Sequence, residues 1–475
     1  MNQHHIPIYQ TLKRLSETNP VSFHVPGHKN GAVFPSYAQG YFNSILKLDM
    51  TEIPGLDDLH APTETIAEAE GLAAEFFQAD HTFFLVGGST AGNLAMILAT
   101  CKAGEKVIVQ RNSHKSIMNG LELSGACPVF IAPAYDATVD RYTSPSIDTL
   151  RRALEKHPDA KAVLLSYPDY FGKTYDIKAM IDAVHAFHIP VLVDEAHGVH
   201  FSLGEPFPPS ALALGADVVV QSAHKMAPAM TMTSFLHMKS THVSVERIAH
   251  YLQMIQSSSP SYPLMASLDI ARSFLATLEK EEMEAVMKSA SGVREILQSS
   301  EHWELLSTDD PLKITLHVKH GYSAKEIAGL FEERGIYPEL VTHNQMLFIH
   351  GLAPFQKGKQ LKKVVKAVGE QLKNNENHAT IEIAKLFPHA IQELALSYQA
   401  MNQLNDIHVS FHEGIGNIAA EAVIPYPPGI PLILKGEKVT TAHTEMIEHL
   451  RNQGVRIQQR EAGMRIYRNK GEEIT

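Results

Sequence analysis

The sequence predicts an open, mostly parallel α/β sheet. Two observations carry that prediction. Short unbroken apolar runs recur at Thr82–Val86, Lys106–Gln110, Val129–Ala132, Ala162–Ser166, Val191–Val193 and Val218–Gln221, each bounded by Gly, Pro or charge. Helix-like stretches separate them. Strands buried on both faces read in this way, and their alternation with helices implies right-handed crossovers in one sheet. Ligands in such sheets sit beyond the carboxyl ends of the strands, so residues just after each run are the first candidates for chemistry.

In chain order, residues 1–50 mix Gly, Pro and aromatics without periodicity and are expected to form an N-terminal arm or irregular lead-in. The Ala- and Glu-rich stretch Pro62–Gln78 predicts a helix, and residues 51–300 form the large domain. Near residue 300 the pattern changes. Leu312, Ile314, Leu316 and Val318 alternate with polar residues, which predicts a half-exposed strand. Ser323 with Glu326 makes a capping box that opens a helix, and Met346–His350 predicts a second strand. Residues 301–375 are therefore expected to form a smaller α/β domain. The polar stretch Lys373–His378 predicts a linker to a C-terminal domain, residues 376–475. That last part carries the Pro-rich turn Pro425–Pro431, placed at a surface or cleft.

Composition narrows the function. The chain has 475 residues, 44% hydrophobic and 20% charged, which excludes a disordered or fibrous protein. A net charge of −11 gives no overall pull toward nucleic acid or an anionic membrane. Small anions must then be held by local donors. The two cysteines, Cys101 and Cys127, cannot build a disulfide framework or a cysteine zinc site, and they suit a reducing cytoplasm. The polar opening Met1–Gln10 does not read as a signal peptide, and no apolar run of 18 residues predicts a spanning helix.

Three constellations follow predicted strands. Gly87-Gly88-Ser89-Thr90-Ala91-Gly92-Asn93 runs into an apolar helix. Free N–H groups and the positive end of the helix dipole make such a start an anion site. The motif lacks the Gly-Lys-Ser/Thr ending of a Walker loop; an ordinary capped helix is its bland reading. Asp194 closes the strand Val191–Val193, where a buried carboxylate needs a cation: a pyridinium, a metal or an arginine. His197 and His200 follow, but no further ligand set appears at a recognisable spacing, so no metal site is expected. Ser222-Ala223-His224-Lys225 follows Val218–Gln221. A lysine in that setting can have its amine activated by desolvation, whereas most lysines simply reach solvent.

These residues resemble a family. The chain is similar to the pyridoxal-phosphate (PLP) enzymes of fold type I, and within them to the ornithine/lysine/arginine decarboxylases in their short, Bacillus-type form. The resemblance rests on Phe23-His24-Val25-Pro26-Gly27-His28-Lys29, Gly55-Leu56-Asp57-Asp58-Leu59, Gly88-Ser89-Thr90, Arg111-Asn112-Ser113-His114-Lys115-Ser116, Asp194-Glu195-Ala196-His197, Ser222-Ala223-His224-Lys225 and Pro425–Pro431. It implies that Lys225 carries PLP as a Schiff base and that Asp194 pairs with the pyridine nitrogen. It implies that His114 stacks on the ring, beside Ala196, and that Gly88, Ser89, Thr90, Ser222 and His224 hold the phosphate. Ser258 and Ser259 match a segment that reaches the phosphate from a neighbouring subunit, and His197 would face the substrate or a proton path. No metal is implied.

The resemblance further implies decarboxylation of a basic L-amino acid in a cytoplasmic homodimer whose active site lies at the subunit interface. Arginine, giving agmatine, is favoured over lysine and ornithine, as a step toward polyamines. Asp57, Asp58 and Glu421 are the acidic residues to inspect for the distal cation. Another fold-type-I reaction, such as transamination or an aldolase reaction, stays open as an alternative, as does an inactive PLP-binding sensor.

Overall fold

The computed structural model describes residues 1–372, 387, 389–426, 430–452, 456–457 and 462–467. The expected linker Lys373–His378, and residues 427–429 of the Pro-rich turn, lie outside the described residues. The chain divides into two compact units, Met1–Thr100 with Val184–Lys280, and Cys101–Ala183 with Glu281–Thr475.

In the first unit, Val191–Asp194 pairs in parallel with Val218–Gln221, with Asp194 opposite Val220. Val218–Gln221 also pairs antiparallel with Ser234–Met238, which pairs antiparallel with His81–Leu85. The Ser234–Met238 strand was not among the predicted runs, because Ser234 and His237 interrupt its apolar pattern. It also places His81–Leu85 antiparallel, where the sequence suggested a parallel strand. The free edge of His81–Leu85 is occupied by side chains. Phe84 N–H donates to Glu70 at 2.9 Å and Val86 N–H donates to Gln256 at 2.8 Å. Filling edge groups in this way stops a strand from recruiting another chain.

The lead-in is helical, over Pro7–Glu17 and Ser36–Leu46. Ile8 and Leu12 are fully buried, and Ile8 N–H donates to Asp269 at 2.9 Å, beside the buried Asp269–Arg272 ion pair. A helix of 11 residues has little stability of its own. It forms because this packing holds it, and propensity alone carries no sign of that.

In the second unit, Lys106–Gln110 pairs in parallel with both Cys127–Ile131 and Val163–Ser166. Ile391–Glu393 adds an antiparallel strand to Cys127–Ile131. A separate antiparallel sheet runs in the order Trp303–Leu306, Lys313–Val318, Gln345–Ile349, Leu340–Val341. Its core gathers Trp303, Ile314, Leu316, Phe331 and Met346. Ser323 accepts from Glu326 N–H at 3.3 Å and opens the helix Ala324–Glu332, as its spacing predicts. Lys313–Val318 is more buried than a half-exposed strand, since it has partners on both edges and even Thr315 is 1% exposed. A further core near the C-terminus joins Phe411, Ile433, Ile447 and Ile466.

Candidate active site

The helix Gly88–Thr100 starts directly after the strand His81–Leu85. Gly88 takes φ +73°, a left-handed turn that favours glycine, and its N–H donates to Met232 O at 2.7 Å. Gly92 lets the helix lie against the sheet: a Cβ there would stand 2.7 Å from Leu85 Cδ1 and 2.9 Å from Val220 Cγ1. This close seat carries the helix start, with part-buried Ser89 and exposed Thr90, onto the sheet.

The same helix fixes Asp194. Asn93 Nδ2 donates to Asp194 Oδ2 at 3.0 Å, and Ala196 N–H donates to Oδ1 at 3.2 Å. Asp194 is 7% exposed, and no cationic side chain pairs with it among the described residues. On the neighbouring strand, Val218–Gln221 leads into the short helix Ala223–Met226 with Lys225 on it. Lys225 Nζ lies 3.1 Å from His197 Nε2. His224 Nδ1 lies 3.0 Å from Thr233 O, so that nitrogen carries the proton. Ser222 is fully buried, and its hydroxyl has no hydrogen-bond partner among the described residues. His200 is packed among rings, 4.9 Å from Phe201 and 4.8 Å from Phe207.

Behind Asp194 runs a buried polar chain that sequence reading missed. Glu195 accepts from Ala211 N–H at 2.7 Å and from Gln221 Nε2 at 2.5 Å. Gln221 Oε1 accepts from His237 Nε2 at 3.0 Å, and His237 Nδ1 accepts from Thr82 Oγ1 at 2.9 Å. Burial pushes the Glu195 carboxyl up to about 8 and the His237 imidazole down to about 3. Both are neutral near pH 7. Asn93 was missed as well: it lay inside the quoted Gly-rich motif, but no local pattern tied it to Asp194, about a hundred residues on.

The other predicted residues are placed as follows. His114 lies in the second unit and caps the helix Lys115–Ser124, its Nδ1 accepting from Ser116 N–H at 3.2 Å. Ser258 and Ser259 are exposed, in the loop before the helix Tyr262–Ala276. Asp57 is engaged structurally. Its carboxylate accepts from Thr63 N–H at 2.9 Å, Glu64 N–H at 2.6 Å and Ile66 N–H at 2.9 Å, which caps the helix Thr65–Phe77. Asp58 accepts from His60 N–H at 2.8 Å, and Glu421 from Arg465 N–H at 2.9 Å.

The residues of the first unit fit PLP on three counts. A buried carboxylate without a cation suits a pyridinium. A buried hydroxyl without a partner, with a glycine-opened helix start, suits a phosphate. A lysine amine at a strand end suits an aldehyde carbon. Fold and site together define a PLP-dependent enzyme of fold type I.

Known proteins narrow this further. The family profile described as "Orn/Lys/Arg decarboxylase, major domain" matches residues 6–318, and that of the family's C-terminal domain matches residues 377–461. The uncharacterized protein YaaO of Bacillus subtilis is 41% identical over 452 residues, covering 94% of each chain. An arginine decarboxylase of Bacillus subtilis is 37% identical over 461 residues, again covering 94% of each. Among solved structures, the constitutive lysine decarboxylase of E. coli superposes with a TM-score of 0.81 at 19% identity, over 98% of this chain and 82% of that one. A serine palmitoyltransferase from Sphingomonas wittichii reaches 0.53 at 17% identity, over 74% and 86%. The chain belongs to the Orn/Lys/Arg decarboxylase family, and it is a PLP-dependent decarboxylase.

Proposed function

We propose that this enzyme decarboxylates a basic L-amino acid, with arginine the preferred substrate and lysine or ornithine next, releasing CO2 and the amine toward polyamine synthesis. The observation that carries the reading is the placing of Lys225, His197 and Asp194 at the ends of two adjacent parallel strands. The relatives named arginine decarboxylase, at 35–37% identity, support the choice of arginine.

Bound PLP supplies an electron sink for the Cα–carboxylate bond. The chain's own residues do the rest. Lys225 would hold the cofactor through its Nζ. Asp194, steadied by Asn93, would keep the pyridine nitrogen protonated, and an ionic contact in so dry a site is strong. His197, at 3.1 Å, is placed to hold or pass the proton of Lys225 Nζ. Ser222, His224, Ser89 and Thr90 would hold the phosphate, and Ala196 and His114 are the residues that the resemblance assigns to the ring. The substrate must be held with its carboxylate bond perpendicular to the ring, since geometry selects this reaction over transamination.

The active unit is proposed to be a cytoplasmic homodimer with its active site at the interface, Ser258 and Ser259 reaching the partner's phosphate. Large apolar side chains on the N-terminal segment support it: Phe23 is 93% exposed, Tyr37 89% and Tyr41 93%. Tyr37 and Tyr41, four residues apart on the helix Ser36–Leu46, share one face that is left in water.

The test is a competition assay: PLP-loaded protein with equal L-arginine, L-lysine and L-ornithine, the amines identified by mass spectrometry. One dominant amine, agmatine, is expected; no amine despite bound PLP would refute the reading. Lys225→Ala should abolish the visible absorption of lysine-bound PLP and leave the fold intact.

A further inference from the structure

The Pro425–Pro431 turn is a motif that the reaction as described leaves without a task, and the structure shows what grips its end. Arg111, 2% exposed, follows the strand Lys106–Gln110. Its guanidinium donates to Pro431 O at 2.9 Å, to Leu432 O at 3.1 Å and to Glu437 Oε2 at 2.7 Å. Its Cζ also lies 5.5 Å from the Phe387 ring centroid. Glu437, 5% exposed, accepts in addition from Leu434 N–H at 2.8 Å and from Gln392 Nε2 at 3.2 Å. One rigid fork thus ties residues 431–437 to the end of a sheet strand.

The turn beyond Arg111 has little slack. Arg111 N–H donates to Ile131 O at 2.9 Å. Asn112 accepts from Gln110 Nε2 at 2.9 Å and donates to Thr143 O at 2.7 Å. Ser113, fully buried, donates to Gln110 O at 2.8 Å. The next residue is His114, whose Nδ1 accepts from Ser116 N–H, so its proton sits on Nε2 and its ring is fixed. Arg111 thus stands three residues before His114, at the start of one pinned turn.

We infer that Arg111 and Glu437 are positioning residues, through which the C-terminal segment sets the place of the His114 ring. The inference rests on the proposed stacking of His114 on the cofactor. The pair acts on geometry only and makes no contact with the reacting atoms. A ring held out of place by about 1 Å costs up to about 100-fold in rate.

The experiment compares PLP-loaded Arg111→Lys and Glu437→Gln with Val365→Ala, which loosens the separate buried core of Trp303, Ile314 and Leu316. Three quantities are read: the melting temperature, the circular dichroism of the cofactor band per bound PLP, and kcat with KM. All three variants should melt lower. Arg111→Lys and Glu437→Gln should also change the cofactor-band dichroism and lower kcat by about 10- to 100-fold with little change in KM. Val365→Ala should leave the dichroism and kcat at 25 °C unchanged. Equal dichroism and kcat in all three would overturn the inference and leave the ion pair a purely structural contact. A His114→Ala variant with an unchanged cofactor band would also overturn it, while amine formation by the unmodified protein would still uphold the decarboxylase reading.

Discussion

Replacing Gly92 by alanine tests how tightly the helix Gly88–Thr100, proposed to hold the phosphate, is seated. The new Cβ would meet Leu85 Cδ1 at 2.7 Å and the Val220 methyls at 2.9 and 3.0 Å. Carbon atoms rest at about 3.5–4.0 Å, so the helix must back away by more than about half an ångström. Neither neighbour can give way: both are fully buried, and Val220 lies in a strand paired on both edges. Overpacking of this kind costs about 1–3 kcal/mol, while alanine returns about 1 kcal/mol of helix propensity. The proper control is Gly71→Ala, in the helix Thr65–Phe77 of the same unit, where nothing lies within 4 Å of the new Cβ. It receives the propensity gain alone. The two variants, followed by urea unfolding, should therefore differ by about 1–3 kcal/mol with Gly92→Ala the weaker. Gly92→Ala should also bind PLP less tightly, because the displaced helix carries Ser89, Thr90 and the Asn93 amide. Equal stability of the two variants would refute the close seating.

Two further outcomes are expected. Asp57→Ala removes the acceptor of three backbone N–H groups and should cost about 1–2 kcal/mol by urea unfolding; the ratio of amines formed from the three substrates should not change, and a changed ratio would return Asp57 to the substrate pocket. Burial raises the Glu70 carboxyl from 4.5 to about 8, with Phe84 N–H opposing and Asp57 adding to the rise. The folded chain then keeps a proton that the unfolded chain has lost, so this contribution is full below about pH 4.5 and disappears as pH rises through about 8. Glu70→Gln should flatten that decline, seen as a smaller drop in urea midpoint between pH 5 and pH 8; an unchanged drop would assign the slope elsewhere.

Much of this was legible along the chain because the information is local. The strands that end in Asp194 and in Gln221 are short apolar runs, and their chemistry follows within a few residues. The Ser323 cap was equally readable from a spacing of three. What escaped depends on partners far away in sequence. Asn93 matters through a carboxylate about a hundred residues on. The helix Pro7–Glu17 depends on Asp269 and Arg272. Ser234–Met238 hides its strand character because a buried serine and histidine break the apolar run. Asp57 was open to a substrate role only because its three backbone donors are invisible in sequence.

The row Thr82, His237, Gln221, Glu195 has a direction. Each side chain gives a proton to the next and takes one from behind, from the threonine hydroxyl to the acid. Such a row cannot be edited one member at a time, since turning one amide or imidazole around sets two donors or two acceptors face to face. It acts like a zip whose teeth all point one way. Variation at these four positions should therefore arrive in matched sets, and a homologue that changes Gln221 should have changed His237 or Glu195 with it.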